Sequence, residues 1–356
     1  MTDADKRNRR ILRLLVWLLI AAVVVSFRLG RYSVTVYELG GIFLNRLLKL
    51  AERIYNGLFP AHSVTFGIAP FWENAKETVA LQIRLPRILL ACLVGCCLSM
   101  AGASYQGVFQ NPMAAPDILG ATSGAAFGAA LAILLGGGSR LIMLSAFVCS
   151  MLTVVLVFLI GRKSNGKQVL TLVLAGIMVS SLFNAATSYV KLVADPSDEL
   201  PAITYWLMGS LSGAKLSTVA AVLPPMAVGM IPLLLLRWRI NILTLGEDEA
   251  RTIGVNTNRV RLIVVLSATL ITAASVSVSG MIGWVGLVIP HLSRRLVGND
   301  YRCLLPASML FGAIFLLAVD DFSRNLLATE IPIGILTAFI GAPFFLWLIT
   351  KKGEAF

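Results

Sequence analysis

"LIMLSAFVCSMLTVVLVFLI", residues 141–160, is a run of twenty residues without a charged side chain. A helix of about 20 mostly apolar residues can cross the hydrocarbon core of a bilayer. Comparable runs recur along the chain and together predict ten transmembrane helices. Their approximate bounds are 11–30, 86–107, 115–135, 141–160, 168–192, 216–236, 259–279, 281–297, 303–320 and 331–350. The pattern is least regular around 192–216 and 279–281, where Gly, Ser and Pro interrupt it.

The composition points to the same class of protein. Hydrophobic residues make up 57% of the chain and charged residues only 13%, whereas soluble domains have about 45–50% and 25%. The net charge of +12 is typical of a membrane protein whose short cytoplasmic loops carry Lys and Arg. No basic stretch is interleaved with aromatic residues, as binding of single-stranded nucleic acid would require. We therefore expect an all-α integral membrane protein in contact with lipid, without a nucleic-acid partner.

The distribution of basic residues predicts the orientation. If the N-terminus is cytoplasmic, five basic clusters fall on the cytoplasmic side, in agreement with the positive-inside rule, which constrains long outer segments such as 31–83 only weakly. These clusters are Lys6–Arg13, Arg162–Lys167, Arg237–Arg261, Arg294–Arg302 and Lys351–Lys352. The short outer loops carry only isolated cations: Arg140, Lys191, Lys215 and Arg324. An even number of spans returns the C-terminus to the cytoplasm.

The basic start and first apolar run resemble a signal peptide, but no cleavage site closes the run, so an uncleaved first span is expected.

The chain is predicted to form one transmembrane domain, residues 1–356. A long segment at 31–83 is expected outside the membrane. It contains "VYELGGIFLNRLLKLAERIY", residues 36–55, whose apolar residues recur every three or four positions and predict an amphipathic surface helix. The largest cytoplasmic segment, 237–258, is too short for a nucleotide-binding domain, which needs a parallel sheet with crossover helices.

"GRKSNGKQ", residues 161–168, has the G-x-x-x-x-G-K spacing of a phosphate-binding loop. Such a loop follows a strand and continues with Ser or Thr, whose hydroxyl binds Mg²⁺. Here Gln168 takes that position, and the preceding residues are the end of a predicted span. The segment is therefore interpreted as a tight cytoplasmic turn, and the chain is not expected to hydrolyse ATP.

Metal and catalytic chemistry have little support in the sequence. None of the five cysteines has metal-ligand spacing, and Cys96 and Cys97 are adjacent. His62 and His291 are the only imidazoles. His291 could titrate near neutral pH, but it lies at a helix end beside Arg294 and Arg295, where a capping or surface role is the simpler interpretation. No metal site, resident cofactor or catalytic residue is expected.

Small residues at a regular spacing predict close helix packing. "GATSGAAFG" places Gly120, Gly124 and Gly128 four residues apart, on one face of a helix. In a bilayer such a face lets two helix backbones approach closely.

Four stretches are unusual for membrane helices. They are "RLPRILLACLVGCCLSMAGASYQGVFQNPMAAPDILGATSGAAFG" (84–128), "LGEDEARTIGVNTNRVR" (245–261), "GMIGWVGLVIPHLSRRLVGND" (280–300) and "EIPIGILTAFIGAPFFLWLI" (330–349). Together, over about 84–350, they resemble the FecCD-type permease family, the membrane subunits of type II ATP-binding-cassette (ABC) importers for iron–siderophore complexes, haem and cobalamin. The resemblance implies the type II importer permease fold.

The second stretch contains three acidic residues and an arginine between two glycines. Glycines that bracket a short charged helix favour a rigid protrusion, although a solvated turn of mixed charge would also fit. The resemblance implies a coupling helix that docks on a separate ATPase subunit, which would carry the ATP and Mg²⁺. The coupling residues are Leu245, Gly246, Glu247, Asp248, Glu249, Ala250, Arg251, Thr252, Ile253, Gly254 and Val255.

Three arginines lie at the predicted outer ends of spans. Arg84, Arg87 and Arg324 could extend to lipid headgroups. The resemblance implies instead that outer arginines pair with carboxylates of an extracytoplasmic substrate-binding protein, with Arg84 and Arg324 the first candidates. Arg87 is expected to serve more as an interfacial or intramolecular partner. Asp320 and Asp321 are four and three residues before Arg324, a spacing that predicts an ion pair.

Two short segments are candidates for a cytoplasmic gate. Asn111-Pro112-Met113 ends the second span, because proline stops a helix and asparagine caps the turn. The resemblance implies that this corner lies beside the translocation pathway. Val169 and Leu170, at the start of the fifth span, would form a second constriction.

The resemblance further implies a homodimer in the cytoplasmic (inner) membrane of a bacterium, with the pathway between the subunits. A heterodimer with a similar permease is the alternative. A ferric siderophore is the favoured cargo, followed by cobalamin and haem. Molybdate-type oxyanions fit less well, because the spans offer no cationic ligand. An ion-coupled secondary transporter is the rival class, but it would need ion ligands near the midplane, and no acidic residue lies near a span centre.

Overall fold

The computed structural model describes residues 3–30, 32–58, 65–162 and 168–350, and every regular element in these ranges is helical. A π-helical turn, Val79–Arg84, joins α3 to α4. The helices are α1 (Asp3–Arg28), α2 (Val36–Leu58), α3 (Asn74–Thr78), α4 (Leu85–Val108), α5 (Ala121–Leu134), α6 (Ser139–Arg162), α7 (Gln168–Val193), α8 (Glu199–Leu207), α9 (Leu216–Leu243), α10 (Glu247–Thr252), α11 (Thr257–Ser279), α12 (Val285–Val297), α13 (Tyr301–Asn325) and α14 (Ile333–Thr350).

Seven helical segments in the described part of the chain are long and apolar enough to cross a membrane, which supports the predicted class. They are Asp5–Arg28, Asn74–Val108, Ser139–Gly161, Leu170–Val193, Leu216–Leu243, Thr257–Ser279 and Tyr301–Asn325. The other three predicted spans correspond to shorter helices: α5 with 14 residues, α12 with 13 and α14 with 18. A helix of 14 residues is only about 21 Å long. The total of ten spans therefore stays a prediction.

Two predicted boundaries differ from the structure. The run at 115–135 is helical only from Ala121, because turns occupy residues 109–120, where Pro112 and Pro116 lack the N–H groups that a helix needs. The run at 281–297 is helical only from Val285, after a non-helical segment in which Trp284 has a positive φ of 69°. The irregular region at 192–216 contains a short helix, α8, that the hydrophobic pattern did not predict.

Helix α4 forms the centre of the bundle. In its span, Asn74–Val108, 78% of the most apolar window is buried. Gly95 meets the backbone carbonyl of Gly312 in α13, and Gly102 meets that of Gly286 in α12. A Cβ atom at either glycine would collide with those carbonyl groups. Small residues thus let α4 contact two neighbouring helices along their backbones.

The glycine face predicted at 120–128 packs as expected. Gly124 and Gly128 of α5 lie against Thr153 and Ser145 of α6, and Gly120 lies against Ser180 of α7. A side chain at any of the three would overlap those atoms. The prediction of close helix packing is therefore confirmed.

The amphipathic helix predicted at 36–55 is α2. Its inner face buries Leu39 and Ile42, and Phe43 packs edge-to-face on Phe27 at the end of α1, with ring centroids 5.3 Å apart. Glu38 of α2 accepts a hydrogen bond from Lys76 of α3 at 2.7 Å. These contacts hold α2 against the bundle end at which α4 begins.

Two predicted features fall outside the described residues. Residues 163–167 of the "GRKSNGKQ" segment are among them, although the structure shows α6 ending at Arg162 and α7 beginning at Gln168. The terminal pair Lys351-Lys352 is also outside.

Candidate functional site

The predicted sites lie at opposite ends of the bundle. The α10 end contains α10 together with the last turns of α4 and α9 and the first turn of α13. The Arg87 end contains the first turn of α4 and the last turns of α1 and α13. Because α4 has 24 residues, the two ends are about 36 Å apart.

Both glycines around α10 have conformations that other residues rarely adopt. Gly246 has φ 135° and ψ 161°, and Gly254 has φ 81°. After the helix, the N–H of Gly254 donates to the carbonyl of Arg251 at 2.9 Å, and the N–H of Val255 donates to the carbonyl of Ala250 at 3.0 Å. This pair of bonds is a Schellman motif, which satisfies the last carbonyl groups of the helix. The segment is therefore a defined protrusion rather than a loose loop.

One face of the protrusion packs on the bundle, and the other face is exposed. Ala250 is fully buried, and Val255 packs on the hydrophobic core. Leu245 and Ile253 flank the helix and are 62% and 53% exposed, while Asp248 is also exposed. Two large apolar side chains beside exposed carboxylates form a surface suited to contact with another protein.

A polar network supports the base of the protrusion. Asn241, in the last turn of α9, donates from Nδ2 to Asp300 Oδ1 at 2.5 Å and accepts from the N–H of Tyr301 at 2.8 Å. Asp300 also caps α13 by accepting from the N–H of Arg302. Sequence reasoning missed this network, and the only signal available was an N-cap residue before an apolar run. The network ties the helix that leads into α10 to the start of α13.

Further contacts connect α4 and α12 to the same end. Arg294 of α12 donates to Gln106 Oε1 of α4 at 2.5 Å and to the hydroxyl of Tyr301 at 3.3 Å. Gln110 donates to the carbonyl of Leu243 at 2.6 Å. The bundle is therefore linked by hydrogen bonds across four helices just behind α10.

The segment Asn111-Pro112-Met113 forms a tight turn after α4. Asn111 Oδ1 accepts from the N–H of Met113 at 2.9 Å, as a capping asparagine would. Pro112 and Met113 lie beside His291 of α12 and Phe344 of α14. The structure thus places this turn between α4, α12 and α14, and its role as a gate stays a prediction.

Val169 and Leu170 lie in the first turn of α7, and the side chain of Leu170 is exposed. Further along, the exposed face of α7 contains Ser181, Asn184 and Ser188. Their spacing of three and four residues places them on one face. Ser181 and Ser188 each donate to the carbonyl four residues earlier, at 2.9 Å. Sequence reasoning missed this polar stripe, although its helical spacing could have revealed it.

Arg87 is the centre of a charge cluster at the other end. Its guanidinium donates to Asp320 at 3.0 Å and to Glu330 at 2.7 Å. Arg87 and Asp320 are both buried, whereas Glu330 keeps 33% of its side chain exposed. Arg87 is therefore an intramolecular partner, as expected.

Arg84 and Arg324 are also engaged within the chain. Arg84 is buried and donates to the carbonyl groups of Phe27 and Tyr32. Arg324 pairs with Asp321, as the sequence spacing predicts, and donates to the hydroxyl of Ser26 at 2.7 Å. The pairing with Asp320 is longer, at 3.9 Å.

The three arginines border one cleft of about 320 Å³, and Glu330 lies on the same cleft. Three carboxylates, those of Asp320, Asp321 and Glu330, balance the three positive charges. No partner protein is present, so the docking role of the arginines stays a prediction.

A model of the FecCD transport family matches residues 18–351. The molybdate import system permease protein MolB of Haemophilus influenzae is 40% identical over 334 residues, which are 94% of this chain and 93% of MolB. The cobalamin import system permease protein BtuC of Halobacterium salinarum is 39% identical over 94% of each chain. Relatives described as permeases for hemin, iron chelatin and Fe(3+)-citrate match at 39% or 40% identity.

A solved structure of a related transporter has a similar fold. It is described as an inward-facing conformation of an ABC transporter of the metal-chelate type. It superposes with a TM-score of 0.82 at 39% identity, covering 96% of this chain and 99% of that one.

Proposed function

The chain belongs to the FecCD transport family and is a permease subunit of a type II ABC importer, and we propose that its cargo is a ferric siderophore complex. In this proposal it lies in the cytoplasmic membrane of a bacterium with both termini inside. The α10 end then faces the cytoplasm, and the Arg87 end faces outward.

The observation that carries the coupling role is the geometry of α10. A coupling element must transmit movement, so it has to be rigid and connected to the bundle. The Schellman motif, the buried Ala250 and the Asn241–Asp300 bond provide that connection. The exposed Leu245 and Ile253 then provide an apolar contact for a separate ATPase subunit, which would hold ATP and Mg²⁺. This chain would hold no cofactor of its own.

The translocation pathway is proposed to lie between two copies of the chain, along the exposed face of α7. The hydroxyl groups of Ser181 and Ser188 are hydrogen-bonded within α7, but the exposed amide of Asn184 would be unfavourable in hydrocarbon. This face is therefore better placed in a hydrated pathway or a subunit contact. Val169 and Leu170 would narrow this pathway at its cytoplasmic end. A homodimer is the simplest arrangement that brings two such faces together, and a heterodimer with a similar permease is the alternative.

The exposed face of α7 also contains Ile177, Met178 and Leu182. A pathway lined by such apolar side chains with a few hydroxyl and amide groups suits a large cargo that passes without tight coordination. A ferric siderophore fits this description, and the similarity to a metal-chelate type transporter and to iron-chelate permeases supports it. Cobalamin and haem are the alternatives. The similarity to MolB makes molybdate a further candidate, although the α7 stripe contains no cation to hold an oxyanion.

The binding protein is proposed to dock at the Arg87 cleft. Glu330 is the most exposed carboxylate of the charge cluster, so an incoming carboxylate could share Arg87 with it. Several such pairs would orient the docked protein more than they would add affinity.

Reconstitution tests these proposals together. The permease is placed in proteoliposomes with its ATPase subunit and binding protein, and uptake of a ferric siderophore, haem, cobalamin and molybdate is measured side by side. We expect ATP-dependent uptake of the siderophore complex above the other three. Preferential uptake of another cargo would overturn the siderophore proposal. Uptake that does not require ATP but stops when the proton gradient is removed would overturn the ABC mechanism.

A further inference from the structure

A cleft of about 800 Å³ is lined by the beginnings of α6 and α9, by α8 and by the loop at 210–215. The end of α11, residues 277–280, and Leu90 of α4 also line it. Because Leu90 lies one turn beyond Arg87, the cleft belongs to the Arg87 end of the molecule. It is separate from the cleft that the three arginines border.

The cleft opens on the outer surface of the bundle. Only 28% of the most apolar window is buried in α6 and also in α9. Large apolar side chains beside the opening, such as Leu141, Leu144 and Leu223, are exposed. In a bilayer these side chains contact lipid, so a lipid molecule can enter the cleft from the side.

The lining combines apolar and polar side chains. Ile142, Met143 and Val278 are half-buried apolar residues, whereas Arg140 and Lys215 mark the rim. The buried hydroxyl groups of Ser277 and Ser279 also line the cleft, and both donate to backbone carbonyls of α11. Both cations are exposed. Among the residues that the structure describes, neither cation has an acidic side chain within ion-pair distance. The hydroxyl groups of Ser139 and Ser217 lie at the same rim.

This arrangement matches the shape and charge of one class of molecule. The rim lies where two helices begin, which is the level of lipid headgroups for helices that span a bilayer. Two unpaired cations and two hydroxyl groups there can bind a phosphate. The apolar part of the lining can accept an acyl chain, and a free phosphate would leave it uncovered.

We propose that this cleft is a binding site for one anionic phospholipid of the leaflet at the Arg87 end. The phosphate lies between Arg140 and Lys215, and an acyl chain packs on Ile142, Met143 and Val278. The bound lipid joins α6 to α9 across a gap that the protein leaves unfilled. The site does not depend on which cargo is transported.

The test is lipid retention by the purified full-length permease. The protein is exchanged into nanodiscs that contain phosphatidylglycerol and phosphatidylcholine, and the lipid that remains after return to detergent is measured by native mass spectrometry. We expect wild-type protein to retain phosphatidylglycerol preferentially. Since each interfacial cation contributes about fivefold to the binding of an anionic lipid, Arg140→Gln with Lys215→Gln should reduce this preference about tenfold or more.

Matched controls separate the site from general surface charge. Lys191→Gln removes a cation at the end of another helix and should leave retention unchanged. Met143→Trp places a larger ring in the proposed path of the acyl chain and should reduce retention without changing the charge, whereas Leu144→Trp alters the neighbouring exposed side chain and should have no effect.

Three outcomes would overturn the proposal: equal retention by the double variant and wild type, equal loss in Lys191→Gln, or displacement of the lipid by excess inorganic phosphate. The last would assign the rim to a small anion. Gel filtration of each variant confirms that it is folded. Since retention is measured without transport, its result is independent of the proposed cargo.

Discussion

At the scale of single residues, Arg87 is the main cation that neutralises a buried carboxylate. It neutralises Asp320, which is fully buried, and it shares its guanidinium with the partly exposed Glu330. Removing one partner of a buried ion pair costs about 3 to 5 kcal/mol, because the other charge remains buried without its main partner. The 3.9 Å contact from Arg324 to Asp320 would offset part of this cost, so the lower end of the range applies.

We therefore expect Arg87→Ala to lower the free energy of unfolding by about 3 kcal/mol. Chemical denaturation of the purified permease in detergent measures it. Glu330→Gln is the matched control, and it should cost less than about 1 kcal/mol because this pair is partly solvated. Equal effects of the two substitutions would show that Arg87 and Asp320 do not form the buried centre of the cluster.

Gly246 is the second residue with a specific conformational role. Its φ of 135° with ψ of 161° lies in a region that is essentially restricted to glycine. Gly246→Ala should therefore distort the start of α10 and reduce stimulation of the ATPase subunit severalfold, while the bundle stays folded. The measurement is ATP hydrolysis in the reconstituted complex. Gly138→Ala is the control, because Gly138 has open space around it, and it should stimulate the ATPase subunit like wild type. Wild-type stimulation by Gly246→Ala would show that the conformation of Gly246 is not required for coupling.

At the scale of elements, the proposed coupling role can be tested at the exposed apolar side chains that flank α10. Burial of a leucine or isoleucine side chain contributes about 1.5 to 3 kcal/mol, which is about tenfold or more in affinity. Leu245→Ser and Ile253→Ser should therefore each weaken copurification of the ATPase subunit about tenfold. Leu135→Ser, which alters an exposed leucine at the other end of the bundle, serves as control. Undiminished binding by Leu245→Ser and Ile253→Ser would remove α10 from the interface.

We expect the position of α2 to depend on pH through Glu38. The hydrogen bond from Lys76, followed by those from the backbone and hydroxyl of Thr35, lowers the pKa of Glu38 from 4.5 to about 2. A lowered pKa means that the contact contributes fully above about pH 4.5 and is lost as the pH falls towards about 2. A spin label on α2 should become more mobile over that window. Glu38→Gln should abolish this pH dependence, and the assignment is wrong if the dependence persists.

At the scale of the whole molecule, the orientation can be tested directly. Asp248 lies on α10, and Asp195 lies in the loop before α8. A membrane-impermeant thiol reagent should label Asp195→Cys in intact cells and Asp248→Cys only in inside-out vesicles. The wild-type chain provides the background, because its five cysteines are buried or half-buried. Reversed labelling would invert the proposed topology.

Prediction from the sequence was most successful where the signal is local. The glycine spacing of α5, the amphipathic pattern of α2 and the Arg324–Asp321 pair each depend on residues a few positions apart, and the structure contains all three. The prediction of continuous spans at 115–135 and 281–297 was wrong at their starts, because hydrophobicity does not reveal that the residues before Ala121 and Val285 form turns or non-helical chain.

The sequence by itself determined that this protein is a membrane protein and which family it belongs to, and it predicted a short charged helix between Gly246 and Gly254. Those properties follow from composition, hydrophobic run length and short motifs. Only the tertiary structure decided that Arg87 meets Asp320 and Glu330, that Asn241 ties α9 to Asp300, and that the polar stripe of α7 is exposed. The partners of Arg87 are more than 230 positions away along the chain, and the packing of helices, not local pattern, brings such residues together.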